Sequence, residues 1–168
     1  MEPIQLKFKD NQNIPNSALP LLIYKNVFSE EKADAGYIKH HFENHNWTNS
    51  WEDGVYDFHH YHSNTHEVLG VFSGYATIQF GGEGGEKVAV EEGDAIVIPA
   101  GIAHKKISAS EDFGVVGAYP GGKNYDLKKG ETGERPEADQ NIKNVPLPET
   151  DPVYGKMEGV PALWRQRN

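Results

Sequence analysis

The sequence predicts an all-β protein of the jelly-roll kind, a barrel of many short strands with one helix before it and an irregular arm after it. Three observations carry that expectation. Between Trp51 and Tyr119, short runs rich in Val, Ile, Phe and Tyr are broken by Gly70, Gly74, Gly81, Gly93 and Gly101, the rhythm of strands joined by tight turns. The composition agrees: Gly 18, Pro 10, Tyr 8 and Phe 7 suit sheets and turns better than helical bundles. A length of 168 residues fits one hydrophobic core, so a single domain is expected.

The elements follow in order. Residues 3–9 alternate Ile4, Leu6 and Phe8 with Gln5, Lys7 and Lys9, the period of a half-buried strand. A link at 11–20 containing Pro and Asn leads to the apolar stretch Leu21-Leu22-Ile23-Tyr24. Ser29 before Glu30 and Glu31 reads as an N-cap with acids in the first turn. Ala35, Ile38 and Phe42 then recur at helical spacing, which predicts one helix over 30–44. Val71–Phe80 and Lys87–Val90 flank the tip Gly81-Gly82-Glu83-Gly84-Gly85 as a hairpin. Ala95–Ile98 is a continuous apolar strand and Phe113–Tyr119 is the next. Beyond Pro120 no periodicity stands out, but Val145, Leu147, Val153, Tyr154, Val160, Leu163 and Trp164 favour an arm lying along the barrel, with Trp164 buried, or a subunit contact. The chain thus divides into 1–50, a strand and helix packing on the barrel; 51–120, the barrel core; and 121–168, an extended arm.

A formal net charge of -9 argues against nucleic acid and against anionic membranes, since both are held by cationic surface. With Cys 0, disulfides, iron–sulfur centres and a cysteine nucleophile are excluded, and any metal must sit on His, Asp or Glu. The start Met1-Glu2-Pro3-Ile4 lacks the basic and apolar pattern of a signal peptide, and no apolar run approaches the roughly 20 residues that span a bilayer. A soluble cytoplasmic protein is expected.

Two segments carry the chemistry: one from Gly54 to Gly74 holding His60, His62, His66 and Glu67, and one from Gly93 to His104. His60 and His62 are two apart, so on a strand they share a face. Glu67 shares its face with Leu69 and Val71, and a carboxylate among core residues must be protonated, paired or bound to a cation. His104 follows a Pro99-Ala100-Gly101 turn at the end of strand 95–98, where a barrel aims side chains inward. Three imidazoles and one carboxylate make a mixed N/O site for iron, manganese, nickel, copper or zinc. Read singly, a His-x-His pair is common on exposed strands, and His45 and His59 are read as surface residues.

Read together, the segments resemble the two motifs of the cupin superfamily, in particular its single-domain bacterial members. Gly54, His60, His62, Glu67 and Gly74 fall at the positions of the first motif, and Gly93, Pro99, Gly101 and His104 at those of the second. Ser108 replaces the closing Asn. The resemblance implies a double-stranded β-helix whose metal ligands are His60, His62, Glu67 and His104, with one divalent ion per chain. A bulge could instead turn His66 to the metal, although that shift would also turn Leu69 and Val71 off the core face.

Cupins serve many functions, so the site must narrow the choice. The expectation is a metal-dependent enzyme, an oxidoreductase of the dioxygenase type, acting on a small oxygen-rich molecule. The alternatives are a non-catalytic binding or sensing module and a metal-dependent sugar isomerase or epimerase. The last would want basic groups in the cavity, where Lys105 and Lys106 are the candidates and alternation lets at most one face inward. Tyr56 and Tyr119 are candidate pocket hydroxyls. The expected partners are a small-molecule ligand and a second copy in a homodimer.

Overall fold

The computed structural model, which describes residues 2–165, realises the strand runs as two antiparallel sheets sharing one interior. In chain order the strands are β1 (Ile4–Phe8), β2 (Ser17–Tyr24), β3 (Trp47–Asp53), β4 (Glu67–Ser73), β5 (Tyr75–Phe80), β6 (Glu86–Glu91), β7 (Ala95–Ile98), β8 (His104–Ala109) and β9 (Gly114–Pro120). The large sheet runs β1-β2-β7-β4-β9-β3 and the small one β6-β5-β8. Partners in space are mostly distant in sequence, as a jelly roll requires.

The two faces of the large sheet bury different cores. Leu21, Ile23, Leu69, Val71, Ile96, Ile98 and Val115 face inward and meet Ala76, Ile78, Phe80 and Val90 of the small sheet. Leu22, Tyr24, Val68, Val97, Val116 and Ala118 face the other way. There they are covered by Ile38 and Phe42 of α1 (Ala35–Glu43) and by Val153, Val160 and Trp164 of the C-terminal arm. Cover on both faces is why Ala95–Ile98 reads as a continuous apolar run and not an alternation.

Two elements differ from the sequence expectation. The helix over 30–44 is split into a 3-10 turn at Glu30–Lys32 and α1. Asp34, not Ser29, caps α1: it is extended, and its carboxylate accepts the Tyr37 N–H at 2.9 Å, while Ser29 makes no side-chain capping bond. The run Val71–Phe80 is two strands, because the chain leaves the large sheet at Ser73 and joins the small one at Tyr75. Gly74 makes that corner at φ 72, where an added Cβ would lie 2.4 Å from Ser110 Oγ.

The arm also contains helices, α2 (Glu137–Asn144) and α3 (Val160–Leu163). Only Ala138 of α2 is buried, so the helix leaves too thin an apolar stripe to be legible. Buried Asp151 ties the arm down: its carboxylate accepts the Tyr24 hydroxyl at 2.6 Å and the N–H groups of Val153, Tyr154 and Val160 at 2.8, 3.0 and 3.0 Å. Trp164 is 2% exposed and donates from Nε1 to the Pro20 carbonyl at 2.8 Å. No helix among the described residues is long and apolar enough to cross a membrane.

Candidate metal centre

Backbone bonds between the two motif segments build the site before any side chain acts. Gly101 N–H donates to the His62 carbonyl at 2.8 Å, and His60 and His104 exchange both backbone bonds, at 3.2 and 2.9 Å. The turn into β8 needs glycine at 101: φ is 99, and a Cβ would lie 2.4 Å from the Asn16 carbonyl oxygen. His60 and His62 lie in an extended segment outside the regular strands, yet the strand alternation holds. Tyr61 between them turns away into a cluster with Ile14, Ala103 and Ala138.

His60, His62 and His104 are buried, and their ligating nitrogens lie within 4.8 Å of one another. Glu67 stands beside them, 2% exposed, with Oε1 3.4 Å from Nε2 of both His62 and His104. Those separations are long for hydrogen bonds. They match two donors that share one ion, which at about 2.1 Å each and 90–110° apart lie about 3.0–3.4 Å from each other. Each imidazole also turns Nδ1 to a backbone carbonyl: His60 to Phe58 at 3.0 Å, His104 to Ile102 at 3.3 Å and His62 to Asp126 at 2.5 Å. A carbonyl only accepts, so Nδ1 donates and Nε2 keeps its lone pair free. The three imidazoles therefore form a donor cluster that fits a divalent transition-metal ion, with Glu67 beside two of them and outside the group that lies within 4.8 Å.

The electrostatics of the cluster are tightly balanced. Burial, with His104 close by, pushes His60 down to about 2, so that it is a neutral imidazole. Burial also works against charge on His62, but Glu67 outweighs it and raises His62 above the usual histidine range. Burial opposes ionisation of Glu67, and the facing His62 and His104 outweigh that too, holding the carboxyl well below its usual range. Tyr119 donates its hydroxyl to Glu67 Oε2 at 2.8 Å and accepts from Trp51 Nε1 at 2.7 Å. Burial and the adjacent Glu67 raise the phenol far above its ordinary value. Tyr119 is thus a buried, neutral hydroxyl that positions the carboxylate.

The other sequence candidates separate by position. His66 is buried away from the cluster: its Nδ1 accepts the Ala100 N–H at 2.9 Å and its ring lies 4.8 Å from that of Trp164. His45 and His59 are half-buried and stand apart from the cluster. His45 is drawn in by the His41 carbonyl 2.9 Å from its Nδ1, and His59 keeps a buried Nδ1 with no partner. A cavity of about 340 Å³ opens over the cluster, and its walls include Trp51, Tyr56, Leu69, Lys106, Tyr119 and Tyr125. Sequence reasoning missed the Asp126 carbonyl and Tyr125. Both come from the segment after β9, and no local signal marks them.

Residues 52–116 match the family described as Cupin domain. The chain is also 48% identical over 158 residues to the uncharacterized protein YjlB of Bacillus subtilis (strain 168), covering 94% of this chain and 93% of that one. The chain belongs to the cupin family. Among solved structures, this cupin superposes on acireductone dioxygenase from Bacillus anthracis, which holds cadmium in its active centre, with a TM-score of 0.40 and 16% identity. That likeness covers 59% of this chain and 76% of the dioxygenase. It also superposes on RmlC from Streptococcus suis in complex with dTDP-D-xylose, at 0.40 and 12% identity over 87% of this chain and 94% of RmlC.

Proposed function

We propose that this cupin is a metal-dependent oxidoreductase of the dioxygenase type that acts on a small oxygen-rich molecule. One divalent ion would be held by His60, His62, Glu67 and His104. The observation that carries the reading is the orientation of the three imidazoles, each with Nδ1 on a carbonyl and Nε2 free, at the floor of a cavity sized for a small molecule. When bound, iron, manganese, nickel, copper or zinc would supply Lewis acidity, and the redox-active members an electron-transfer couple.

The chain's own residues do the rest. Glu67 offsets one positive charge inside the barrel, Tyr119 fixes that carboxylate, and Trp51, Leu69 and Tyr125 supply apolar and aromatic surface to the cavity wall. The Tyr119 hydroxyl is committed to Glu67 and Trp51, so it is not free to shuttle protons. An isomerase, which must move a proton on its substrate, would need another cavity group for it, and Lys106 is the basic side chain of the lining.

The test is to load the protein with iron without oxygen, add small diols, keto acids and phenols in turn, then admit oxygen and follow its uptake. The expected result is oxygen consumption coupled to product formation, abolished in His104→Ala. Binding without turnover under all five metals would replace this reading with a carrier or sensor, and sugar interconversion without oxygen would replace it with an isomerase.

A further inference from the structure

Lys106 is the one cationic side chain of the cavity lining, and the metal centre does not use it. Lys106 lies on β8 two residues after His104 and pairs in register with Ile78 of β5, a buried residue of the inward core. Its backbone N–H donates to the Tyr56 carbonyl at 2.9 Å. The residue is half-buried and lines the cavity together with His60, His62 and His104. Lys105, one position earlier, does not line it.

Among the described residues, the Lys106 ammonium joins no ion pair and no hydrogen bond. Three carboxylates share the cavity wall. Glu67 accepts the Tyr119 hydroxyl and stands 3.4 Å from Nε2 of His62 and His104. Glu52 and Asp53 sit exposed at the end of β3, and Asp53 Oδ1 accepts the Gly54 N–H at 2.8 Å. None of the three comes within 4.0 Å of the Lys106 nitrogen.

Aromatic rings form much of the remaining wall. Tyr125 stacks on Tyr119 with ring centroids 4.9 Å apart and planes at 23°. Tyr56 meets the His60 ring edge-on at 5.1 Å and is itself exposed. Exposed aromatic rings at a cavity mouth are surface that a ligand body can cover.

We propose that the cavity takes a small planar carboxylate. Lys106 binds its carboxylate group, the exposed rings of Tyr56 and Tyr125 hold its flat body, and a second oxygen faces the cluster of His60, His62 and His104. This deepens the metal-centre reading and rests on it, because a divalent ion beside one carboxylate and neutral imidazoles leaves a positive floor that attracts the second oxygen.

The test titrates the protein as purified with salicylate and with salicylamide, which keeps the ring and hydroxyl but removes the charge, and measures metal content on the same samples. Salicylate should bind at least ~10-fold tighter, as a charge-assisted bond implies. Lys106→Gln should bring the two ligands to within ~3-fold of each other, while Lys106→Arg retains most of the preference. Both variants should keep their metal and fold. Equal binding of the two ligands, no binding of either at millimolar concentration, or a preference that survives in Lys106→Gln overturns the proposal. Metal-bearing protein without the preference sinks the lysine subsite alone. Metal-free protein that still shows a Lys106-dependent preference sinks the metal reading and leaves the subsite standing.

Discussion

At the scale of single residues, the centre depends on which imidazole nitrogen is left free. His60→Ala, His62→Ala and His104→Ala should each lose most of the roughly one bound ion per chain expected of a single site. His45→Ala, whose ring packs against His41, should keep it; elemental analysis of untagged protein reads both. Tyr119→Phe is subtler, since it keeps the ring stacked near Tyr125 but deletes the hydroxyl that donates to Glu67. Outer partners of this kind are worth about 10–100-fold in metal affinity. Competition with a chelator should therefore show a loss of about that size in Tyr119→Phe, with the far-UV spectrum unchanged.

At the scale of elements, the segment after β9 is part of the site. Asn124 and Asp126 bond to Asn64 and Ser63, Lys128 forms an isolated bridge with Tyr61, and the Asp126 carbonyl takes the His62 Nδ1–H. Glu134 closes the segment by accepting the Lys129 N–H at 2.9 Å, the Tyr61 hydroxyl at 2.8 Å and the Gly130 N–H at 2.9 Å. Burial pushes the Glu134 carboxyl up, but these donors outweigh it and hold it below the usual range. A depressed carboxylate adds stability that is fully present at neutral pH, above its unfolded value of about 4.3, and is lost as pH falls through the folded value. Glu134→Gln should thus be less stable than the parent at pH 7, and the gap should narrow in acid below about pH 4. Urea denaturation at the two pH values measures it. A gap that stays constant would show that the carboxylate's charge is not what anchors the segment.

At the scale of the whole molecule, the large sheet depends on being covered twice. The arm supplies the outer cover through Val153, Val160 and Trp164 over Leu22, Val97 and Val116. Trp164→Ala should cost about 3–5 kcal/mol, the range for deleting a buried large aromatic side chain, read as a lower urea midpoint. Truncation after Pro120 would uncover that face and remove the His62 acceptor together. The expected outcome is aggregation, or strong binding of a hydrophobic dye, with loss of bound metal. A soluble, metal-bearing core after truncation would contradict it.

What the sequence by itself determined is local. A two-residue spacing put His60 and His62 on one side, the same alternation placed Glu67 with Leu69 and Val71, and a proline–glycine turn aimed His104 inward. Period and turn chemistry act over a few residues, so they survive without knowledge of the fold. Only the tertiary structure chose Asp34 over Ser29 as the helix cap, Lys106 over Lys105 for the cavity wall, and Tyr119 as the partner of Glu67. It also brought Asp126 to His62, 64 residues away in the chain. Those choices follow from the strand order β1-β2-β7-β4-β9-β3. The order is fixed when distant apolar faces bury one another, and no short stretch of sequence encodes it.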